Sequence, residues 1–80
     1  MKEVKNFLEA NGFKKISTIH KASRKNTYFN DKCTIIITKK NYIVIDNDFS
    51  TIISDSLNIY WLIGILTYRE FMDKNYKQLN

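Results

Sequence analysis

Between residues 2 and 11, apolar side chains fall at Val4, Phe7 and Leu8, with Lys2, Glu3, Lys5 and Glu9 around them. That spacing gives one apolar face and predicts an amphipathic helix. Gly12 stops it, and Phe13 is placed to fold back against the last turn. The period then changes. β-branched Ile16, Thr18 and Ile19 predict a first strand within "KKISTIHKASRKNTYF", with "SRKN" as its turn. The run "TYFNDKCTIIIT" is extended again, and Asn30 and Asp31 inside it mark a tight turn or a bulge. "CTIIIT" and "YIVID", on either side of Lys39, Lys40 and Asn41, predict a hairpin. "NDFSTIISDS" holds a short strand or a loop, and Asp55 or Ser56 is suited to cap the helix that follows.

From Leu57 to about Tyr76 there is no Pro, and apolar residues recur at Ile59, Leu62, Ile63 and Leu66, then at Ile65, Tyr68 and Met72. This predicts a long C-terminal helix lying across the sheet, with Trp61 as its largest anchor and Gly64 admitting another backbone. Up to Leu66 nearly the whole circumference is apolar, more than a helix packed on one side requires. The apolar run from Leu57 is interrupted at Arg69 and Glu70, well short of the ~20 residues of a membrane span. It therefore reads as a buried helix. The expected fold is a small α+β domain in α-β-β-β-α order, its antiparallel sheet packed against the long C-terminal helix.

The central hairpin complicates that picture. Cys33, Ile35 and Ile37 alternate with Thr34, Ile36 and Thr38, and Tyr42 and Val44 alternate with Ile43 and Ile45. A sheet covered on one face should be polar on the other, yet neither parity is. Either the first helix covers the second face, or that face is a protein interface, for which Ile36, Tyr42 and Val44 are the candidate residues.

Length and composition narrow the organisation. Eighty residues with no Pro and two Gly leave room for a single compact domain, 1–80, without linker, internal repeat or low-complexity tract. A chain this short buries roughly 60% of its unfolded surface, so its margin is thin. One cysteine excludes an internal disulfide, and the charged first turns lack a signal peptide's apolar core. A reducing, cytoplasmic setting is expected.

The chemistry on offer is sparse. His20 and Cys33 are the only residues of their kinds, and "TIHKA" and "DKCTI" match no nucleophile signature. An enzyme built on them ranks behind every binding role, and one Cys with one His cannot close a zinc site. "DNDFSTIISDSL" opens like a calcium loop, with Asp46, Asp48 and Ser50 at alternating positions. Thr51 and Leu57, however, occupy the places of its obligatory glycine and acid. With only Gly12 and Gly64, no glycine-rich phosphate loop can exist. No catalytic residue, cofactor, metal or small-molecule substrate is therefore expected.

Charge is uneven. The formal net charge is +5, but residues 1–40 hold ten Lys or Arg against three acids, and residues 41–80 three against five. The segment 14–25 has five basic residues and no acid. Lys14, Lys15, Lys21, Arg24 and Lys25 could line a basic edge for phosphate contacts, giving nucleic-acid binding that weakens with salt. Equally, lysines on an edge strand block sheet-to-sheet aggregation. No aromatic lies between Lys14 and Lys25 to stack a base.

The α-β-β-β-α order resembles double-stranded-RNA-binding domains in outline. That family grips phosphates at the start of its final helix, where this chain has "SDSLNIYW", so no binding residues carry over. "NIYWLIGILTYREFMDKNYK" resembles small accessory proteins of phages and mobile elements in AT-rich bacteria. The resemblance implies a non-catalytic inhibitor of the anti-CRISPR kind, acting by protein–protein contact. The expected function is thus a small binding protein that engages a protein partner or a second copy of itself as a homodimer. A nucleic-acid-binding accessory protein is the alternative.

Overall fold

The computed structural model describes residues 2–16, 26–38, 42–54, 58–73, 75 and 76. Helix α1 (Lys2–Ala10) is followed by strands β1 (Lys14–Lys15), β2 (Asn26–Phe29), β3 (Thr34–Ile37), β4 (Ile43–Asp46) and β5 (Thr51–Ile53), then by helix α2 (Ile59–Tyr68). The strands form one antiparallel sheet in the order β1-β2-β3-β4-β5. The α+β class and antiparallel arrangement agree with the sequence pattern. Among the described residues five strands replace the three expected, because two-residue β1 and three-residue β5 extend the sheet at its margins.

All the fully buried strand residues share one parity. Tyr28, Ile35, Ile37, Ile43 and Ile45 join Val4, Phe7 and Leu8 of α1 and Leu62 and Leu66 of α2 in a single core. Both helices therefore pack on the same face of the sheet. Phe7 also meets Tyr76 edge to face, with ring centroids 6.0 Å apart, which ties α1 to the segment after α2.

The two helices end in the same way. Gly12, at φ 86°, reverses the backbone after α1, and the Phe13 N–H donates to the Leu8 carbonyl at 3.0 Å. After α2, Arg69 is the C-cap and Glu70 takes the left-handed position at φ 59°. The Glu70 N–H donates to the Thr67 carbonyl and the Phe71 N–H to the Leu66 carbonyl, at 3.2 and 2.9 Å. Both exits place a buried phenylalanine five residues after a buried leucine, the hydrophobic contact of a Schellman stop. The second stop explains why α2 has ten residues instead of the twenty its apolar pattern predicts. Glu70 does the work of a glycine there, so the sequence carries no stop signal.

The N-terminus of α2 also differs from expectation. Asn58, rather than Asp55 or Ser56, is the cap, and its Oδ1 accepts from the N–H groups of Tyr60 and Trp61 at 2.9 and 3.2 Å. Residues 55–57 lie outside the described residues. The anchors of α2 are Leu62 and Leu66, while Trp61 is half-buried at the core's margin. Gly64 is exposed, and apart from its own helix turn no heavy atom of the described residues lies within 4 Å of where its Cβ would be. Among the described residues it admits no other backbone, although glycine costs a helix interior about 1 kcal/mol relative to alanine.

Asparagine closes both described hairpins. Asn30 Oδ1 accepts from the N–H groups of Lys32 and Cys33, and the Asn30 N–H donates to the Cys33 carbonyl. Asn47 repeats this with Phe49, Ser50 and the Ser50 carbonyl. The segments "NDKCT" and "NDFST" are thus one local motif used twice. Among the described residues, only Asn30 has a long-range role: its Nδ2 donates to the Phe71 carbonyl at 2.8 Å, joining the β2–β3 turn to the stop of α2.

Two stability tests follow from these turns. Glu70→Gly should stabilise the chain by up to about 1 kcal/mol, since only the side-chain penalty of the left-handed conformation is relieved, and Gly12→Ala should destabilise it by a similar amount. In urea titrations, Asn30→Ala should cost about 1 kcal/mol more than Asn47→Ala, the difference being the hydrogen bond to Phe71.

Candidate functional site

With both helices on one side, the opposite face of the sheet carries apolar side chains that neither helix covers. Its centre is a cross-strand row, Thr27–Ile36–Val44–Ile53, set by the register of β2 to β5. Ile16, whose N–H donates to the Thr27 carbonyl at 2.9 Å, continues the row beside β1. Thr27, Ile36 and Val44 are half-buried, and Ile53 is 64% exposed. The parallel row runs Lys14–Phe29–Thr34–Asp46–Thr51, with a cation at one margin and a carboxylate near the other. Asp46 Oδ1 accepts the Thr51 hydroxyl at 2.9 Å, which holds it on this face.

The structure brings Ile36 and Val44 directly opposite each other. Tyr42, just before β4, has the parity of Val44, is half-buried, and its N–H donates to Thr38 Oγ1 at 3.3 Å. Sequence reasoning missed Ile16, Phe29 and Ile53, which extend the same face. For Phe29 and Ile53 the signal was present in the alternation of "TYF" and "TII", but it could be read only once β2 and β5 were known to flank the central hairpin. Of the basic residues, Lys14 and Lys15 are exposed on edge strand β1, whereas Lys21, Arg24 and Lys25 lie outside the described residues.

Other chemistry finds little support. Cys33 is buried at the start of β3, and burial, with a smaller contribution from Asp31, pushes its thiol from 9.0 up to about 12. A nucleophile needs the opposite shift. His20 lies outside the described residues. The calcium-like segment is the β4–β5 turn. There Asp46 is engaged with Thr51, and Asn47 Oδ1 gathers the turn's N–H groups and the Ser50 hydroxyl. Among the described residues, no three His, Cys, Asp or Glu side chains gather as a metal site.

An open groove of about 580 Å³ lies where the two helix stops meet the β2–β3 turn, lined by Gly12, Asn30, Lys32, Glu70 and Asp73 among others. Its central polar group, Asn30, spends its side chain on the turn and on Phe71. Lys32, Glu70 and Asp73 are solvent-exposed, so the groove is an open, polar-lined seam between structural motifs. No helix among the described residues is long and apolar enough to cross a membrane. Comparison with protein-family models, curated proteins and solved structures gives no match.

The buried thiol has a pH signature. The folded chain keeps Cys33 protonated above pH 9, where the unfolded chain releases that proton, so the unfolded state gains as pH rises. Tyr28 acts in the same sense, raised first by burial and then by the charge of Glu9 and its hydrogen bond. Stability should be level below about pH 9 and fall steadily toward pH 12, and Cys33→Ala should flatten the slope. Native protein at pH 8 should resist thiol alkylation until denatured.

Proposed function

We propose that this chain is a non-catalytic protein-binding module that docks through the helix-free face of its sheet. The observation that carries the reading is the row Thr27–Ile36–Val44–Ile53, three of whose four members are aliphatic β-branched residues on the side away from both helices. A sheet facing water on one side is normally polar there. Leaving Ile53 largely exposed in so small a domain has a cost in solubility that a partner would remove. The fitting partner has a flat apolar patch, with an acidic group to meet Lys14 and a basic one to meet Asp46. In this reading the chain acts by occupying its partner's surface, as accessory inhibitor proteins of the phage type do.

The test compares wild type with Ile36→Asp and Val44→Asp as baits in quantitative affinity capture. Each variant should lose about 1 kcal/mol of stability and stay folded, because its site is half-buried. Proteins retained by wild type and lost from both variants are the expected outcome, and identical retention profiles end the reading. The nucleic-acid alternative rests on exposed Lys14 and Lys15 at the β1 edge. It takes precedence if labelled DNA or RNA binds with affinity that drops steeply between about 50 and 200 mM salt and disappears in the Lys14→Glu, Lys15→Glu double variant.

A further inference from the structure

The two margins of the sheet are built differently. The β1 edge is Lys14 and Lys15, both exposed, and lysines on an edge repel a further strand. From Phe49 to Ile53 the β5 side has no charged residue, no Pro and no Gly. Its hydrogen-bonding pattern follows from the register. The Asn47 N–H donates to the Ser50 carbonyl and the Ser54 N–H to the Ile43 carbonyl, so Ser50, Ile52 and Ser54 direct their backbone groups at β4. Alternation turns those of Thr51 and Ile53 the other way. Two N–H and two C=O groups therefore face outward along β5, in pairs about 7 Å apart, and no strand among the described residues takes them.

We propose that this edge of β5 is a strand-addition site, at which an extended segment of the partner protein pairs antiparallel with Thr51 and Ile53. The inference rests on the protein-binding reading above and names the form of the partner. Donors and acceptors alternating at strand spacing are matched by an extended backbone. Side chains then set the sequence class. Partner residues opposite Ile53 and Thr51 project onto the helix-free face, because cross-strand neighbours share a face. Ile53, largely exposed, fits a β-branched neighbour. Beyond Thr51 lies Asp46, whose Oδ1 accepts the Thr51 hydroxyl and which pairs with no lysine or arginine among the described residues. A basic side chain opposite Thr51 reaches across it to that carboxylate. In an antiparallel strand the fitting segment therefore reads β-branched, any residue, basic.

Phe49 supplies the anchor, and the twin turns provide the comparison that shows it. Lys32 and Phe49 hold the same position, each N–H donating to the asparagine Oδ1 two residues earlier, so the turn requires no aromatic ring there. Phe49 is nevertheless 93% exposed, two residues before β5. An aromatic beside the edge gives an added strand the kind of contact that dominates binding. Pairing here extends the sheet by one strand, so the edge continues the row Thr27–Ile36–Val44–Ile53.

The test titrates isotopically labelled chain, observed by NMR, with a capped six-residue peptide in which valine and threonine alternate and lysine stands fifth. Binding with a dissociation constant of roughly 1 mM is expected, the strength of a few net backbone hydrogen bonds, with slowed amide exchange at Thr51 and Ile53. Methylating the backbone nitrogens of the third and fifth peptide residues should abolish it. Ile53→Pro removes an N–H that β4 does not use, so the chain should stay folded while binding falls about tenfold or more. Ile53→Ala keeps that N–H and should weaken binding by no more than about threefold. Phe49→Gln should weaken it about fivefold at unchanged Tm. Asp46→Asn should cost about threefold with the lysine peptide and nothing with its glutamine analogue. No binding by wild type overturns the proposal, as does binding that survives both Ile53→Pro and backbone methylation. Dimers of wild type that are lost in Ile53→Pro, seen by sedimentation, place a second copy on the edge and overturn it as well. Ile36→Asp lies two strands away and should bind the peptide as wild type does. If that variant loses captured partners but no peptide binds wild type, the face reading stands and the edge falls; peptide binding with capture unchanged does the reverse.

Discussion

The fold depends on how its helices end. Leu8 with Phe13 and Leu66 with Phe71 form the same closure, in which a phenylalanine N–H reaches back to the leucine carbonyl and both side chains enter the core. Because α1 stops at Ala10, the chain can enter the sheet edge at Lys14. Because α2 stops at Tyr68, the following residues can turn back until Tyr76 meets Phe7. Asn30 secures the second closure by donating to the Phe71 carbonyl, so a β-turn and a helix end hold each other in place. A helix continuing to Tyr76 would remove the left-handed turn that this arrangement needs.

One-sided packing follows, and it determines what the molecule offers to others. The two helices share one core against one face of the sheet. Aliphatic residues of the other parity remain at the surface, and so does the side of α2 away from Leu62 and Leu66. These surfaces differ in character. The sheet face is flat, β-branched and bordered by Lys14 and Asp46, whereas the helix stripe is aromatic, uncharged and centred on a glycine. The two edges of the sheet differ as well. β1 is two lysines, which discourage strand addition, while β5 presents Thr51 and Ile53.

Cys33 illustrates how context decides chemistry. A lone cysteine beside an isoleucine run can be a nucleophile or a small hydrophobe, and composition does not distinguish them. In the fold it caps the inward row of β3 and is buried, and its thiol is held protonated. Asp46, Asp48 and Ser50 likewise have the spacing of cation ligands, but the backbone between them is a tight asparagine-closed turn that uses its oxygens internally.

What the sequence determined by itself was local and periodic. Val4, Phe7 and Leu8 defined the buried face of α1, Gly12 marked its end, and the alternation through "CTIIIT" and "YIVID" defined the central hairpin, since each signal lies within a few residues of the structure it directs. Its apolar excess was legible too, in the two apolar parities of the hairpin and the ring of hydrophobes on α2. Tertiary structure decided where that excess ended up. Nothing in the local pattern puts α1 and α2 on the same side of the sheet, gathers Ile16, Phe29 and Ile53 on one face with Ile36 and Val44, or forces Glu70 into a left-handed turn. Those outcomes come from contacts between segments far apart in the chain, such as Asn30 with Phe71 and Phe7 with Tyr76, whose combined gain exceeds the local preference of any single residue.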